Sequence, residues 1–245
     1  MDKLVYLAAQ AARNTMYRQE NISNNLANVS TPGFRAELMA FRSAPIMGGD
    51  GSALAFSQET TVGFDETAGV LQSTSRELDV AIQGQGWFAI TTPEGDEAYT
   101  RSGAFQINAQ GLLVDNNNNP IVGTNGQINV PEDHRLSIED NGTLTAIPLQ
   151  GQGGVIQLGA LKLVNPDKQL LERSDDGFFR MKNGEEAQAD LQVRVSSGFL
   201  ETSNVNPVEA MVSMIEAQRA FDIQMKVITN AQENAQSGDQ LFSLN

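Results

Sequence analysis

Residues 206–228 read NPVEAMVSMIEAQRAFDIQMKVI, and this stretch predicts a long C-terminal helix. Asn206 supplies an N-cap oxygen, Pro207 presets the first helical φ, and Glu209 follows three residues after the cap, so we expect the helix to begin at Pro207. Apolar residues then recur at alternating spacings of three and four, which is typical of a coiled-coil-like stripe. The stripe consists of Met211, Met214, Phe221, Met225, Ile228 and Ala235, with Gln218 and Gln232 at the intervening positions.

The other end of the chain predicts a second helix with a weaker apolar stripe. Thr15 and Arg18 interrupt its face, but its many small residues allow another helix to approach closely. We expect this helix to end near Val29, because Pro32 lacks an amide donor and Gly33 can adopt a left-handed conformation. The stripe consists of Leu4, Ala8, Ala11, Ile22, Leu26 and Val29.

Between the helices, short segments alternate apolar and polar residues, as half-buried strands do. Examples begin at Leu78, Phe105 and Leu191. The turns between them are rich in Gly and Asn, which tolerate positive φ. The turn sequences are Pro93-Glu94-Gly95, Gln110-Gly111, Asp140-Asn141-Gly142, Asp176-Gly177 and Asn183-Gly184.

We therefore predict an α+β fold, in which the N- and C-terminal helices pair as a coiled-coil-like terminal domain beside a central antiparallel β domain. The expected segments are a helix and turn over 1–42, an extended linker over 43–77, the β domain over 78–200 and a helix over 201–245. The linker is expected because residues 43–57 are rich in Gly, Ala and Ser.

Composition limits the classes of partner. The 245 residues carry a net charge of −14, of which −12 lies in residues 43–200, so nucleic-acid phosphate is a poor partner. Cysteine is absent, which excludes a disulfide scaffold. The apolar run Leu4–Ala12 follows Asp2 and Lys3 rather than a basic segment, so we interpret it as mature helix and expect neither a cleaved signal peptide nor membrane insertion.

Candidate chemical motifs are few. His134 is the only histidine and lies in a charged loop, where a solvated role is the simpler interpretation. Residues 115–119 read DNNNN and resemble the start of a calcium loop, but Pro120 stands where that loop needs Gly. We expect no catalytic residue, no cofactor and no metal site.

Three longer blocks carry a resemblance. Residues 24–34 read NNLANVSTPGF, residues 78–88 read LDVAIQGQGWF and are followed by YTRSGAF at 99–105, and residues 198–211 read GFLETSNVNPVEAM. Together these blocks resemble the signatures of the bacterial flagellar rod and hook proteins. The chain is short for a hook subunit, and its blocks at 173–180 and 224–229 are most similar to the proximal rod class rather than the distal one.

The resemblance implies a structural subunit rather than an enzyme. It implies export without signal cleavage by the flagellar type III apparatus, a place in the periplasm-spanning rod of the basal body, and contacts with itself and with other proximal and distal rod subunits. The terminal helices would pack into a tubular drive shaft that transmits torque and forms part of the export channel. Asn24, Asn25 and Asn28 could hydrogen-bond between subunits.

The expected assembly interface is Leu4, Ala8, Ala11, Ile22, Asn24, Asn25, Leu26, Asn28, Val29, Met211, Met214, Phe221, Met225 and Ile228. The family motif comprises Ser30, Thr31, Pro32, Gly33, Phe34, Asn204, Asn206, Pro207 and Glu209.

Two functions of other classes stay open on the residues alone. One is a secreted glycan-binding or glycan-hydrolysing β domain, with Trp87, Tyr99 and Phe105 as a sugar platform. The other is a secreted adhesin whose coiled ends form a trimer.

Overall fold

The computed structural model describes residues 2–47, 53–149 and 154–242. These residues form two compact units. Unit 1 comprises residues 1–29, 36–65 and 205–245, and unit 2 comprises residues 30–35 and 66–204.

Unit 1 contains two helices and a hairpin. Its elements are α1 (Asp2–Ala27), β1 (Glu37–Met47), β2 (Ala53–Phe64) and α2 (Pro207–Phe242).

Unit 2 contains sixteen short strands and one 3-10 turn among the described residues. The strands are β3 (Leu71–Ser73), β4 (Val80–Gln83), β5 (Trp87–Thr91), β6 (Glu97–Thr100), β7 (Gln106–Ile107), β8 (Leu113–Val114), β9 (Val122–Gly123), β10 (Gly126–Gln127), β11 (His134–Ile138), β12 (Thr143–Pro148), β13 (Ile156–Ala160), β14 (Leu163–Val164), β15 (Leu171–Arg173), β16 (Phe179–Met181), β17 (Arg194–Ser197) and β18 (Phe199–Glu201), and the 3-10 turn is Lys168–Leu170.

The two helices of unit 1 lie against each other. The predicted start of α2 is confirmed, because Asn206 Oδ1 accepts from the amides of Val208 at 3.0 Å and Glu209 at 3.3 Å. The predicted end of α1 is two residues late, since the helix ends at Ala27 and residues 28–30 form a turn.

Strands β1 and β2 pair as a long antiparallel hairpin where the sequence indicated a linker. Cross-strand pairing joins residues far apart in the chain, so weak local periodicity does not exclude it. The expected linker over 43–77 includes residues 48–52, which lie outside the described residues, and it divides between the two units at 65/66.

The ladders of unit 2 are all antiparallel in the part of the chain that the structure describes, which confirms the α+β class. The largest sheet has the order β14-β5-β6-β16-β15, and β11, β12 and β13 form a second sheet. A contiguous core lies between these strands, with Phe88 and Phe105 meeting edge to face at a centroid distance of 5.1 Å.

Turn glycines behave as the sequence indicated, while two strand patterns differ from expectation. Gly95, Gly111, Gly142, Gly177 and Gly184 all have positive φ. In β4, Val80, Ala81 and Ile82 are all buried, so the alternation there does not mark a half-solvated strand.

The third pattern was placed too early. The alternation that began at Leu191 does not start a strand there, because β17 begins at Arg194 and Leu191 is exposed.

Candidate assembly interface

The buried stripe of α2 is offset from the expected one. Ala217 and Ala231 are buried and Gln224 lies between them at heptad spacing, whereas Met211 and Met225, one position later, are 53% and 42% exposed. Small Ala side chains allow a closer helix approach than Met, so they occupy the tight positions. Of the expected large residues, Met211 and Met225 therefore lie outside this stripe, whereas Met214, Phe221 and Ile228 alternate with its members.

The other expected interface residues have mixed environments. On α2, Met214, Phe221 and Ile228 are half-buried. On α1 and just beyond it, Ile22 is buried, Asn24 is exposed, and the remaining residues are half-buried: Ala8, Ala11, Asn25, Leu26, Asn28 and Val29. The side chains of Leu4 and Ala235 lie outside the described residues.

A second apolar face of α2 is open to solvent. Val208, Val212, Ile215, Ile223 and Val227 recur at spacings of three, four or eight, and they are 36–69% exposed. An exposed run of this length on one helix is typical of a surface that another protein covers.

The asparagines near the end of α1 bond within the chain. Asn25 pairs with the backbone of Glu37 in both directions, since its Nδ2 donates to the carbonyl at 3.0 Å and its Oδ1 accepts from the amide at 2.8 Å. Asn28 Nδ2 donates to the carbonyl of Asn24 at 3.0 Å. The Asn25 amide therefore joins α1 to the start of β1, and the Asn28 amide stabilises the end of α1.

Unit 2 contains a buried ionic cluster that brings the three signature blocks together. Glu201 accepts from Arg35 at 2.7 Å and from Arg101 at 2.6 and 2.9 Å, and all three residues are at most 3% exposed. Arg101 also donates to the carbonyls of Gly84 and Gly86, at 2.9 and 2.7 Å. Burial lowers the pKa of Arg101, and the charge of Glu201 opposes that shift.

Residues 30–35, which we name the strap, lie in a slot of unit 2. The Gly33 amide donates to the Glu201 carbonyl at 2.8 Å, and the Asn204 amide donates to the Phe34 carbonyl at 3.3 Å. Phe34 is buried beneath the guanidinium of Arg173, which lies 4.4 Å from its ring centroid.

The slot is too narrow for a side chain at Gly33. A Cβ at this position would lie 2.3 Å from the carbonyl carbon of Arg101, and its φ of +69° is left-handed. The glycine of the family motif is therefore required by close approach as well as by its turn.

A second polar cluster surrounds Tyr99. Its hydroxyl donates to Glu97 at 2.8 Å and accepts from the Ala187 amide at 2.7 Å, and Lys162 donates to Glu97 at 2.6 Å. Burial is the main cause that raises the pKa of Tyr99 above its usual value. Burial lowers the pKa of Lys162, but Glu97 and Glu186 outweigh it and the net shift is upward.

Comparison with known proteins agrees with this architecture. Three family models match: "Flagella basal body rod protein" over residues 6–35, "Flagellar hook protein FlgE/F/G D1 domain" over 81–146, and "Flagellar basal body rod FlgEFG protein C-terminal" over 196–241. The flagellar basal-body rod proteins FlgF of Salmonella typhimurium and Escherichia coli are each 42% identical to this chain, over 100% of both chains.

The chain belongs to the FlgF family of flagellar basal-body rod proteins. A flagellar basal-body rod protein FlgG, from Buchnera aphidicola of Acyrthosiphon pisum, is 32% identical over 90% of this chain and 92% of its own length. Membership of the FlgF family makes this chain a structural rod subunit of the flagellar basal body and not an enzyme.

Burial removes the sugar platform on which the glycan alternative depended. Trp87, Tyr99 and Phe105 are 7%, 1% and 0% exposed, so their rings pack the core of unit 2 and present no face to a glycan. No group of metal-ligating side chains occurs among the described residues. The same residues include no helix with the length and apolarity needed to cross a membrane.

Sequence reasoning overlooked Arg35, Arg101 and Glu201, although each lies in or beside a quoted block. One acid and two bases that are far apart in the chain produce no local periodicity that could reveal them. The available signal was a charged residue within an otherwise apolar or small-residue motif, which indicates a buried pair when the motif itself is buried.

Proposed function

We propose that this FlgF-family chain builds the proximal part of the rod, by packing the helices of unit 1 against the helices of neighbouring rod subunits. In this proposal α1 and α2 pair in a coiled-coil-like manner, and the assembled helices form a tube that transmits torque and encloses part of the export channel. The two FlgF relatives that are 42% identical support the FlgF class, and the resemblance of this chain's signature blocks supports the proximal position in the rod.

The open apolar face of α2 is the observation that carries the assembly proposal. Five aliphatic side chains, from Val208 to Val227, remain 36–69% exposed after α2 has packed against α1. Covering the exposed parts of five such side chains would contribute roughly 4–8 kcal/mol per helix. This is a large gain relative to the usual stability of a domain.

A rod needs contacts between different faces of successive subunits, since a self-complementary face would close a dimer. Unit 1 offers two unlike faces for this purpose. The open face of α2 is aliphatic, while the exposed large apolar residues among the described side chains of α1 are Tyr6, Leu7, Met16 and Tyr17. We propose that the aliphatic face of one subunit packs against a helix of the next.

Partners and location follow from the same proposal. The chain would contact other copies of itself and other proximal and distal rod subunits, and the flagellar type III apparatus would export it without cleavage of a signal peptide. Its place would be the part of the basal body that spans the periplasm. The signature blocks at 24–34 and 198–211 support this reading.

The experiment replaces two aliphatic residues of the open face with charge. Ile215→Glu and Ile223→Glu, expressed in cells that lack the native chain, should abolish motility and remove the chain from purified basal bodies. Glu is a good helix former, so the change acts on the surface rather than on the helix. Quantitative mass spectrometry of the basal bodies gives the readout.

The matched control is Gln218→Glu, which adds the same charge at an exposed polar position of the same helix. It should leave incorporation close to the native level. Normal incorporation of the Ile215 and Ile223 variants would refute the assembly proposal. Fewer copies of this chain than of the distal rod subunit are expected, and an excess of copies would favour the distal alternative that the FlgG relative represents.

A further inference from the structure

The chain passes between its two units at 29/30, 35/36, 65/66 and 204/205. Each crossing lies close in sequence to a residue of the ionic cluster or to a residue that hydrogen-bonds with it. The strap spans the first two crossings and supplies Arg35 to the cluster, Thr67 follows the third, and Glu201 precedes the fourth.

Hydrogen bonds within unit 2 join these segments to one another. Arg35 donates to the Thr67 carbonyl at 2.5 Å, and the Gly69 amide donates to Glu201 Oε1 at 2.9 Å. Asn204 Nδ2 donates to the same Thr67 carbonyl at 3.0 Å. The strap, residues 66–69 and residues 201–204 therefore meet at one carboxylate.

We propose that Glu201 closes an ionic clasp, which fixes the points where the chain leaves unit 2 toward α1 and α2. The clasp consists of Arg35, Arg101 and Glu201 with the Gly33 and Gly69 amides. The clasp holds the strap and residues 66–69 against Glu201. Its residues are not part of the hydrophobic core, whose members lie elsewhere in unit 2.

The partners in the clasp are far apart in sequence, so the clasp closes only after distant segments of the chain have come together. Glu201 lies 100 residues from Arg101 and 132 from Gly69, and Arg173 lies 138 residues from the Arg35 carbonyl that it binds. Contacts between such distant segments form only after the loops between them have closed. The strap comes early in the chain, but its slot is complete only when residues 173 and 201 are in place.

Charge makes the carboxylate decisive. Two buried guanidinium groups face one carboxylate, so neutralising Glu201 leaves two like charges buried side by side. The strap is the part that can move away, because two carbonyls, those of Gly84 and Gly86, also hold Arg101, whereas one, that of Thr67, also holds Arg35. The clasp therefore opens at the strap first.

Hydrogen-exchange mass spectrometry of the full-length chain tests this inference, which does not depend on the proposed rod position. In Glu201→Gln, peptides over 30–36 and 66–70 should exchange at least tenfold faster, whereas peptides over β5 and β8 should keep their native rates. Glu186→Gln changes an exposed acid of the same unit and should alter no peptide.

Native exchange rates at 30–36 in Glu201→Gln would overturn the clasp. An equal acceleration across all of unit 2 would do so as well, since it would show an ordinary loss of stability. If Glu201→Gln fails to fold, Arg35→Met provides the second test, because it keeps the pair of Glu201 and Arg101. It should open 30–36 alone, and native protection there would refute the inference.

Discussion

Gly33→Ala tests the close packing of the strap. An alanine at the observed φ of +69° costs about 1–2 kcal/mol in backbone strain. Its Cβ would lie 2.3 Å from the Arg101 carbonyl carbon, which is an overlap. The Arg101 backbone cannot move aside as a flexible side chain can. The overlap is relieved by withdrawal of the strap, which loses the Gly33 hydrogen bond, about 1 kcal/mol, and the burial of Phe34, about 1.5–3 kcal/mol.

The expected loss in the unfolding free energy of unit 2 is therefore about 3.5–6 kcal/mol. Gly184→Ala is the matched control, because Gly184 has a φ of +70° and no neighbouring atom within 4 Å of an added Cβ. It should cost about 1–2 kcal/mol, the strain alone.

Urea unfolding followed by tryptophan fluorescence measures both variants. Trp87 is the single tryptophan, it is buried in unit 2, and its ring lies 4.5 Å from that of Phe179. If Gly33→Ala costs no more than Gly184→Ala, the strap does not approach Arg101 as described and the reasoning fails.

Three further predictions concern single side chains. Asn206→Ala should weaken α2 by about 1 kcal/mol through loss of its cap, seen as a lower urea midpoint of the helical circular dichroism signal, and an unchanged midpoint would contradict it. Gln224→Met should raise the free energy of unfolding by about 1 kcal/mol and raise that midpoint with it, because Gln224 Oε1 is buried without a hydrogen-bond partner in the part of the chain that the structure describes; a lower midpoint would show that the amide is used. Burial acts to raise the pKa of Asp176, but Arg180 and the Phe178 amide outweigh burial, so the pKa is lowered. Asp176→Asn should therefore be destabilising above about pH 4. The difference in stability between native and variant protein should vanish as the pH falls through the lowered pKa. Urea titrations at several pH values check this, and a difference that persists in strong acid would contradict it.

Local signals predicted the elements that depend on neighbouring residues. The start of α2 at Pro207 follows from the cap chemistry of Asn206, and the turns follow from the positions of Gly and Asn. The hairpin of β1 and β2 was not foreseen, because its strands are stabilised by pairing with each other rather than by a local pattern.

The candidate interface was predicted in outline and changed in detail. Both helices exist and lie together, but the buried column passes through Ala217 and Ala231 rather than through Met211 and Met225. A stripe of apolar spacing fits two adjacent registers equally well, and the distance between the helix axes selects the one with smaller side chains. The role of these residues in assembly stays a prediction.

The sequence by itself determined the class of fold, the capped start of the C-terminal helix, the turns and the family. These features depend on residue types at short spacings or on long matching blocks. Only the tertiary structure decided that Arg35, Arg101 and Glu201 meet, and that the motif glycine at 33 lies against Arg101. Each of these contacts joins residues of distant blocks, and their partners are chosen by shape and charge in the folded chain rather than by any pattern along it.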